Sequence, residues 1–310
     1  MKQGYICTIG LGGMSVFLSL DHFHANGETV QAQALFTEPG GKAYNQAVAV
    51  SRLAVPSMFI GAMGNDQNAE SCRRFLDSEH VRHREFTSEA CPTAFACILT
   101  DAKGENRVTV YPGASKELTA DHIRSCRDWI AECSILLLGL ECPFEATLAA
   151  LEIAEAYGVY TILNPAPAIP LDVELLRRFS LITPNRQEAK VLLKQDSEEI
   201  RELVCGFRKV GLNNVVITLG DEGAALIMDD IALHYPGIPC IPIDTTGAGD
   251  CFNAALAVAI YEGKSLMDAV VFASNCAALS VTKPHVMTAL PNRDEAESNY
   301  KIIRPRVLDA

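Results

Sequence analysis

The sequence predicts an α/β fold, with a central, mostly parallel sheet flanked by helices and a small β-sheet set apart from it. Three observations predict it. Between residues 118 and 219, short β-rich apolar runs alternate with segments of helical pattern, and strands that alternate with helices build parallel sheets covered on both faces. Two β-rich runs, 93–100 and 106–111, are joined by Asp101-Ala102-Lys103-Gly104-Glu105 and break that rhythm with a hairpin. A glycine turn, Asp244-Thr245-Thr246-Gly247-Ala248-Gly249-Asp250, runs into the apolar stretch 254–260, as a loop does when it becomes a helix.

In chain order, residues 5–12 read as a buried strand ending in Gly10, Gly12 and Gly13. Gly-x-Gly-x-x-Gly is not completed and 15–20 lack a helical pattern, so a dinucleotide site is not expected. Gly27-Glu28-Thr29-Val30 leads into a more polar extended stretch to residue 36. Pro39-Gly40-Gly41 opens a helix to about residue 53, followed by a strand at 58–61 and a helix at 68–77. The stretch 28–36 joins the hairpin runs in a small sheet of its own. Beyond it come helix 119–131, strand 135–140, helix 144–157, strand 160–163, helix 171–179, strand 181–183, helices 187–193 and 197–210, and strand 215–219. No fixed-period repeat divides the chain. Residues 1–310 read as one domain, with insertions at about 13–38 and 91–112 that could act as a lid.

Composition narrows the function. The net charge of −12 argues against nucleic acid or an anionic membrane as partner. The apolar run 135–140 is far below the ~20 residues that span a bilayer. Eleven cysteines, an odd number without Cys-x-x-Cys or zinc spacing, imply a reducing, cytoplasmic compartment. The N-terminal ten residues carry no signal-peptide pattern.

The chemistry concentrates at two helix starts. Helix N-termini leave N–H groups unpaired at the positive end of the macrodipole. Gly247 and Gly249 remove the Cβ atoms that would keep an anion away from them, and Asp250 lies beside the charge that would gather there. That layout suits phosphoryl transfer to a hydroxyl, with amides on the moving group and a carboxylate as base. The plainer alternative is that Thr246 or Asp250 only caps the helix. Lys42 and Asn45, three apart, share the first turn of the other helix and suit a polyhydroxylated ligand. Further polar residues follow the strands at their carboxyl ends, where ligands bind in such sheets: Glu141, Asn164, Asn185 with Glu188, and Thr218 with Gly220.

The order of these features resembles the ribokinase-like (PfkB) carbohydrate kinases, from residue 9 to residue 291. The most specific parts are Gly-Gly-Lys-x-x-Asn-Gln-Ala at 40–47 and Asp-Thr-Thr-Gly-Ala-Gly-Asp at 244–250. The resemblance implies an ATP-dependent kinase acting on a primary hydroxyl of a small sugar. Asp250 would be the base, and the N–H groups of Gly247, Ala248 and Gly249 the anion hole. Ser15, Gly41, Lys42, Asn45 and Glu141 would hold the sugar. Asn185, Thr218, Gly220, Gly223 and the segment around Ser274 and Asn275 would meet the nucleotide. Glu188 would hold Mg²⁺ through water, Asp244 and Thr246 a potassium ion, and the inserted strands would form the lid. An exposed lid face seeks a cover, which points to a homodimer.

Four departures bear on the substrate. Ser15 stands where ribokinases carry an Asp that binds sugar hydroxyls, and Asp21 is poorly spaced to replace it. Losing a charge-assisted bond worth roughly 1.5–3 kcal/mol would weaken ribose binding on the order of tenfold to a hundredfold. Tyr44 replaces a small residue and either fills the sugar pocket, stacks on a ligand or packs inward. The loop 282–289 lacks the Gly-Ala of the potassium site, and Lys283 there could add a local charge. Cys251 follows the base and reads as a packing thiol. The alternatives are a nucleoside kinase of the same family and a non-catalytic sugar or nucleotide sensor.

Overall fold

The computed structural model describes residues 4–229 and 231–308; the N-terminal reading thus falls partly, at residues 1–3, outside the described residues. The first half of the chain runs β1 (Ile6–Ile9), β2 (Gly13–Ser19), β3 (Ala34–Gly40), α1 (Lys42–Arg52), β4 (Ser57–Gly64), α2 (Gln67–Ser78), β5 (Arg82–Ser88), β6 (Ala94–Thr100), β7 (Asn106–Tyr111), α3 (Ala120–Ser125), α4 (Arg127–Glu132), β8 (Ile135–Leu138) and α5 (Phe144–Tyr157). The second half runs β9 (Tyr160–Leu163), α6 (Val173–Leu176), β10 (Leu181–Ile182), α7 (Arg186–Leu193), α8 (Ile200–Lys209), β11 (Asn214–Thr218), β12 (Ala224–Met228), β13 (Ile231–Tyr235), α9 (Ala248–Tyr261), α10 (Leu266–Ser280), α11 (Arg293–Ser298) and β14 (Arg306–Val307).

The ten-stranded main sheet has the order β14-β13-β12-β11-β10-β9-β8-β1-β4-β5. From β11 to β5 every pairing is parallel, whereas β12, β13 and β14 add an antiparallel edge. Alternation along the strands feeds two cores. Ile6, Phe59, Leu137, Ile162 and Val216 pack with α1, α2, α9 and α10, while Cys7, Ile60, Leu138, Leu163 and Ile217 pack with α3, α5, α7 and α8. Helix α9 is buried at every residue from Asp250 to Ile260, as expected for a helix apolar all round. It lies inside the molecule, so its N-terminus is held at a fixed point.

The small sheet has four strands in the order β3-β2-β6-β7. Three of them correspond to expected runs: β7 has the expected bounds, β6 starts one residue later, and β3 is displaced along the chain. The extended stretch does not begin at residue 28. Glu28 accepts the N–H of Ala25 at 2.8 Å and bonds His22 at 2.9 Å, which makes a local turn, and the strand starts at Ala34 and runs through Pro39. The helix expected at 119–131 divides at Cys126, where ψ turns to 12° and the N–H bonds Ile123 O. The polar edge strand β5 and the antiparallel strands β12 to β14 were not expected from the sequence.

Candidate active site

Two helix starts meet at the carboxyl end of the main sheet. Gly41 caps α1 at φ 112°, and a Cβ there would lie 2.4 Å from Leu11 O. Only glycine lets the helix begin so close to the end of β1. The Lys42 N–H then donates to Glu141 Oε2 at 3.0 Å, which ties α1 to the loop after β8. Gly247 caps α9 at φ 78°, and no side chain caps that helix. Apart from Ala248, whose N–H donates to Thr245 O at 3.3 Å, its first-turn amides are therefore open to an anion. A Cβ at Gly249 would meet nothing within 4 Å. Asn253 steadies this end, donating to Gly249 O at 2.9 Å and accepting from Thr183 Oγ1 at 2.5 Å.

Asp250 joins the two starts. It is 5% exposed and accepts Asn45 Nδ2 at 2.7 Å and Gln46 Nε2 at 3.3 Å. Gln46 also reaches Asn164 Oδ1 at 3.4 Å. Burial pushes the Asp250 carboxyl up, against the pull of the Lys42 ammonium and the two amides. Asp250 in turn raises Lys42, with Glu141 and Glu188 adding to it and burial opposing it. Burial pushes Glu141 up to about 7 although Lys42 is near. Asn45 Oδ1 is buried without a partner. It faces the same spot as Ser15 Oγ, since a Cβ on Gly40 would lie 2.5 Å from the hydroxyl and 3.7 Å from the amide oxygen.

A cavity of about 240 Å³ opens beside Asp250, lined by Lys42, Asn164, Asn185, Glu188, Thr218, Gly247, Gly249 and Asn253 among others. Asn185 and Glu188 form a capping box at α7, and Glu188 accepts both the N–H and the Nδ2 of Asn185. A buried carboxylate already engaged on both oxygens fits Mg²⁺ held through water. The two oxygens of Asp244 take the N–H groups of Thr246 at 2.9 Å and His285 at 3.1 Å.

The expected residues fall into four groups. Lys42, Asn185, Glu188, Thr218, Gly247, Gly249 and Asp250 line the cavity, while Asn45, Gly41, Glu141, Ser15 and Ala248 adjoin it through the contacts above or along the chain. Gly220 and Gly223 (φ 64° and 97°) turn the chain beyond Thr218, where a Cβ on Gly223 would strike Tyr235 O at 2.1 Å. Asn275 stands apart. Its amide donates to Lys301 O and Val271 O and accepts the Lys301 N–H at 2.7 Å, so it is committed to the C-terminal segment and not open to a base. The unpartnered polar atom there is the buried Ser274 Oγ. Tyr44 is fully buried, donates to Cys72 O at 2.7 Å and meets Phe59 edge-on, which excludes a stack on a ligand. Lys283 pairs with Glu295 at 2.6 Å, Asp21 is exposed beside His22, and burial pushes the Cys251 thiol up to about 12. Gln46 was missed as a contact of the carboxylate, although it sits inside the 40–47 motif.

A family model described as "pfkB family carbohydrate kinase" matches residues 5–293. This chain belongs to that family. It is 32% identical over 292 residues to a ribokinase of Bacillus subtilis (strain 168), covering 94% of this chain and 98% of that one. A deoxyribokinase of Salmonella typhi is 28% identical over 295 residues, covering 94% and 96%. The solved structure of an Arabidopsis thaliana ribokinase complexed with ribose and ATP superposes with a TM-score of 0.85 at 27% identity, covering 97% of this chain and all of that one. The fold is ribokinase-like, and the chain is an ATP-dependent sugar kinase. Among the described residues no helix is long and apolar enough to cross a membrane.

Proposed function

We propose that this kinase transfers the ATP γ-phosphate to a primary hydroxyl of a small pentose, ribose or a near relative, with Asp250 as base. The observation that carries this is the buried carboxylate at the uncapped start of α9, fixed by Asn45 and Gln46 and facing the cavity. Asp250 takes the hydroxyl proton as the hydroxyl oxygen bonds phosphorus. The bond from phosphorus to the bridging oxygen breaks, and its electron pair leaves with ADP. The amides of Gly247, Ala248 and Gly249 take the charge on the transferring group. Burial raises the basicity of Asp250, while Asn45 and Gln46 fix its orientation. Mg²⁺, held through water by Glu188, would neutralise phosphate charge.

Acceptor recognition rests on Asn45 Oδ1, Ser15 Oγ, Lys42 and Glu141. The free amide oxygen suits one sugar hydroxyl as donor. Ser15 offers no charge to a vicinal diol, so 2-deoxyribose should lose less here than on a carboxylate-bearing site. The buried Tyr44 removes the support for a nucleoside acceptor. Asp250→Asn tests the base: turnover should fall by at least a thousandfold with ADP binding retained, and undiminished turnover would sink the assignment.

The outer face of the small sheet carries Leu35, Phe95 and Tyr111, which are 66%, 37% and 46% exposed. It is the proposed homodimer contact. Leu35→Arg should convert a dimer to a monomer in sedimentation; a monomeric wild type would reject the contact.

A further inference from the structure

One buried carboxylate takes no part in the chemistry above. Glu38 lies on β3, in the small sheet, and is 5% exposed. Its oxygens accept two consecutive backbone N–H groups, Val286 at 2.7 Å and Met287 at 3.0 Å, across 248 residues of sequence. A carboxylate is costly to bury, and two charge-assisted bonds are what make the place tolerable. Burial still pushes its carboxyl up, with Asp244 adding to the shift and the two N–H groups and Arg52 opposing it.

The segment that Glu38 holds backs the anion hole. The Val286 side chain packs on Gly247, where an added Cβ would lie 2.6 Å from its Cγ1. The preceding residue, His285, has φ 62° and donates its N–H to Asp244, in the turn that leads into Gly247. Its ring stacks on Phe36 of β3 with centroids 3.9 Å apart and meets Phe17 of β2 edge-on at 4.9 Å. On the opposite side, Arg52 at the end of α1 donates to the carbonyls of Met287 and Leu290. The segment is therefore gripped by a carboxylate on its N–H side and a guanidinium on its carbonyl side.

We infer that Glu38 is a positioning residue for the anion hole: carried on the small sheet, it fixes the 285–287 segment and, through Val286, the position of Gly247. This rests on the kinase reading, since it takes the α9 amides as the seat of the γ-phosphate. Glu38 also pairs with Ser15 across β2 and β3, so the strand that carries Ser15 is the direct neighbour of the one that holds the 285–287 segment.

A selective loss of triphosphate binding tests the inference. The dissociation constants of ADP and of the non-hydrolysable analogue AMP-PNP, both with Mg²⁺, are measured by calorimetry on wild type and Glu38→Gln. Gln keeps one acceptor oxygen and turns an NH₂ towards the other N–H. AMP-PNP should weaken on the order of tenfold, with ADP unchanged within about twofold. His285→Gly accommodates the positive φ, keeps the N–H groups and removes the ring stack, so it remains informative if Glu38→Gln does not fold. It should weaken AMP-PNP by a few fold and spare ADP. An unchanged ADP to AMP-PNP ratio in both variants, or equal weakening of the two nucleotides, overturns the inference and leaves the kinase reading intact. A wild type that binds neither nucleotide overturns both.

Discussion

The two glycines of the α9 turn should respond in opposite ways to one added methyl group. At Gly249 a Cβ meets no atom within 4 Å, the residue lies inside the helix and it lines the cavity. Replacing a helical glycine by alanine stabilises by roughly 0.5–1 kcal/mol, or about 1–2 °C in melting temperature for a chain of this size. The same methyl would occupy space assigned to the γ-phosphate and separate it from the amides. Removing a contact of that kind costs about a hundredfold to a thousandfold in turnover. At Gly247 the outcome reverses in its first part. Its φ of 78° and the Val286 Cγ1 atom 2.6 Å from a built Cβ both oppose a side chain. Left-handed strain alone costs roughly 1–2 kcal/mol, so Gly247→Ala should melt lower as well as lose activity. The assay is a thermal melt beside coupled ADP release, with ADP binding checked by calorimetry. A Gly249→Ala protein that melts higher and retains turnover within threefold of wild type would refute the placement of the γ-phosphate. One that melts lower would refute the account of the open space.

Two further expectations follow from the same contacts. Glu141 has its carboxyl pushed up to about 7 by burial, so the neutral form is favoured in the folded state; its contribution to stability is present below the unfolded value near 4.5 and lost as pH rises through about 7. The wild-type melting temperature should therefore fall relative to that of Glu141→Gln between pH 5 and pH 8, and parallel profiles would reject the shift. Asn275→Ala should release the segment around Lys301, which limited proteolysis reads as new cleavage after residue 299, while the Michaelis constant for ATP stays within about twofold; a large rise in that constant would return Asn275 to the nucleotide site.

The parts of the site that the sequence reveals are those in which backbone geometry does the work. Gly41 and Gly247 mark helix starts that need a positive φ, and the amide and carboxylate neighbours follow within one turn, so spacing alone places Lys42, Asn45 and Asp250. The alternation of apolar runs from β8 to β11 likewise reports strands buried on both faces. What escaped notice depends on partners remote in sequence. Glu38 looks like one more polar residue in an extended stretch until the chain returns 248 positions later. Asn275 and Ser274 are adjacent on α10, and only the C-terminal segment decides which of them has its polar atoms engaged. Strand β5, Arg82–Ser88, is polar because it forms the sheet's edge, and polar edges hide the apolar signal by which strands are read. Tyr44 could have faced a ligand or the core, and its hydroxyl found Cys72 O on α2.

The central claim is most directly tested by incubating the protein with MgATP and a panel of pentoses, 2-deoxyribose, hexoses and nucleosides, following ADP release and locating the new phosphate by ³¹P NMR. The account predicts turnover on a pentose, ribose or 2-deoxyribose, with the phosphate on the primary hydroxyl and no dependence on potassium. MgATP binding without ADP release on any acceptor, or a phosphate placed on a secondary hydroxyl, would contradict it.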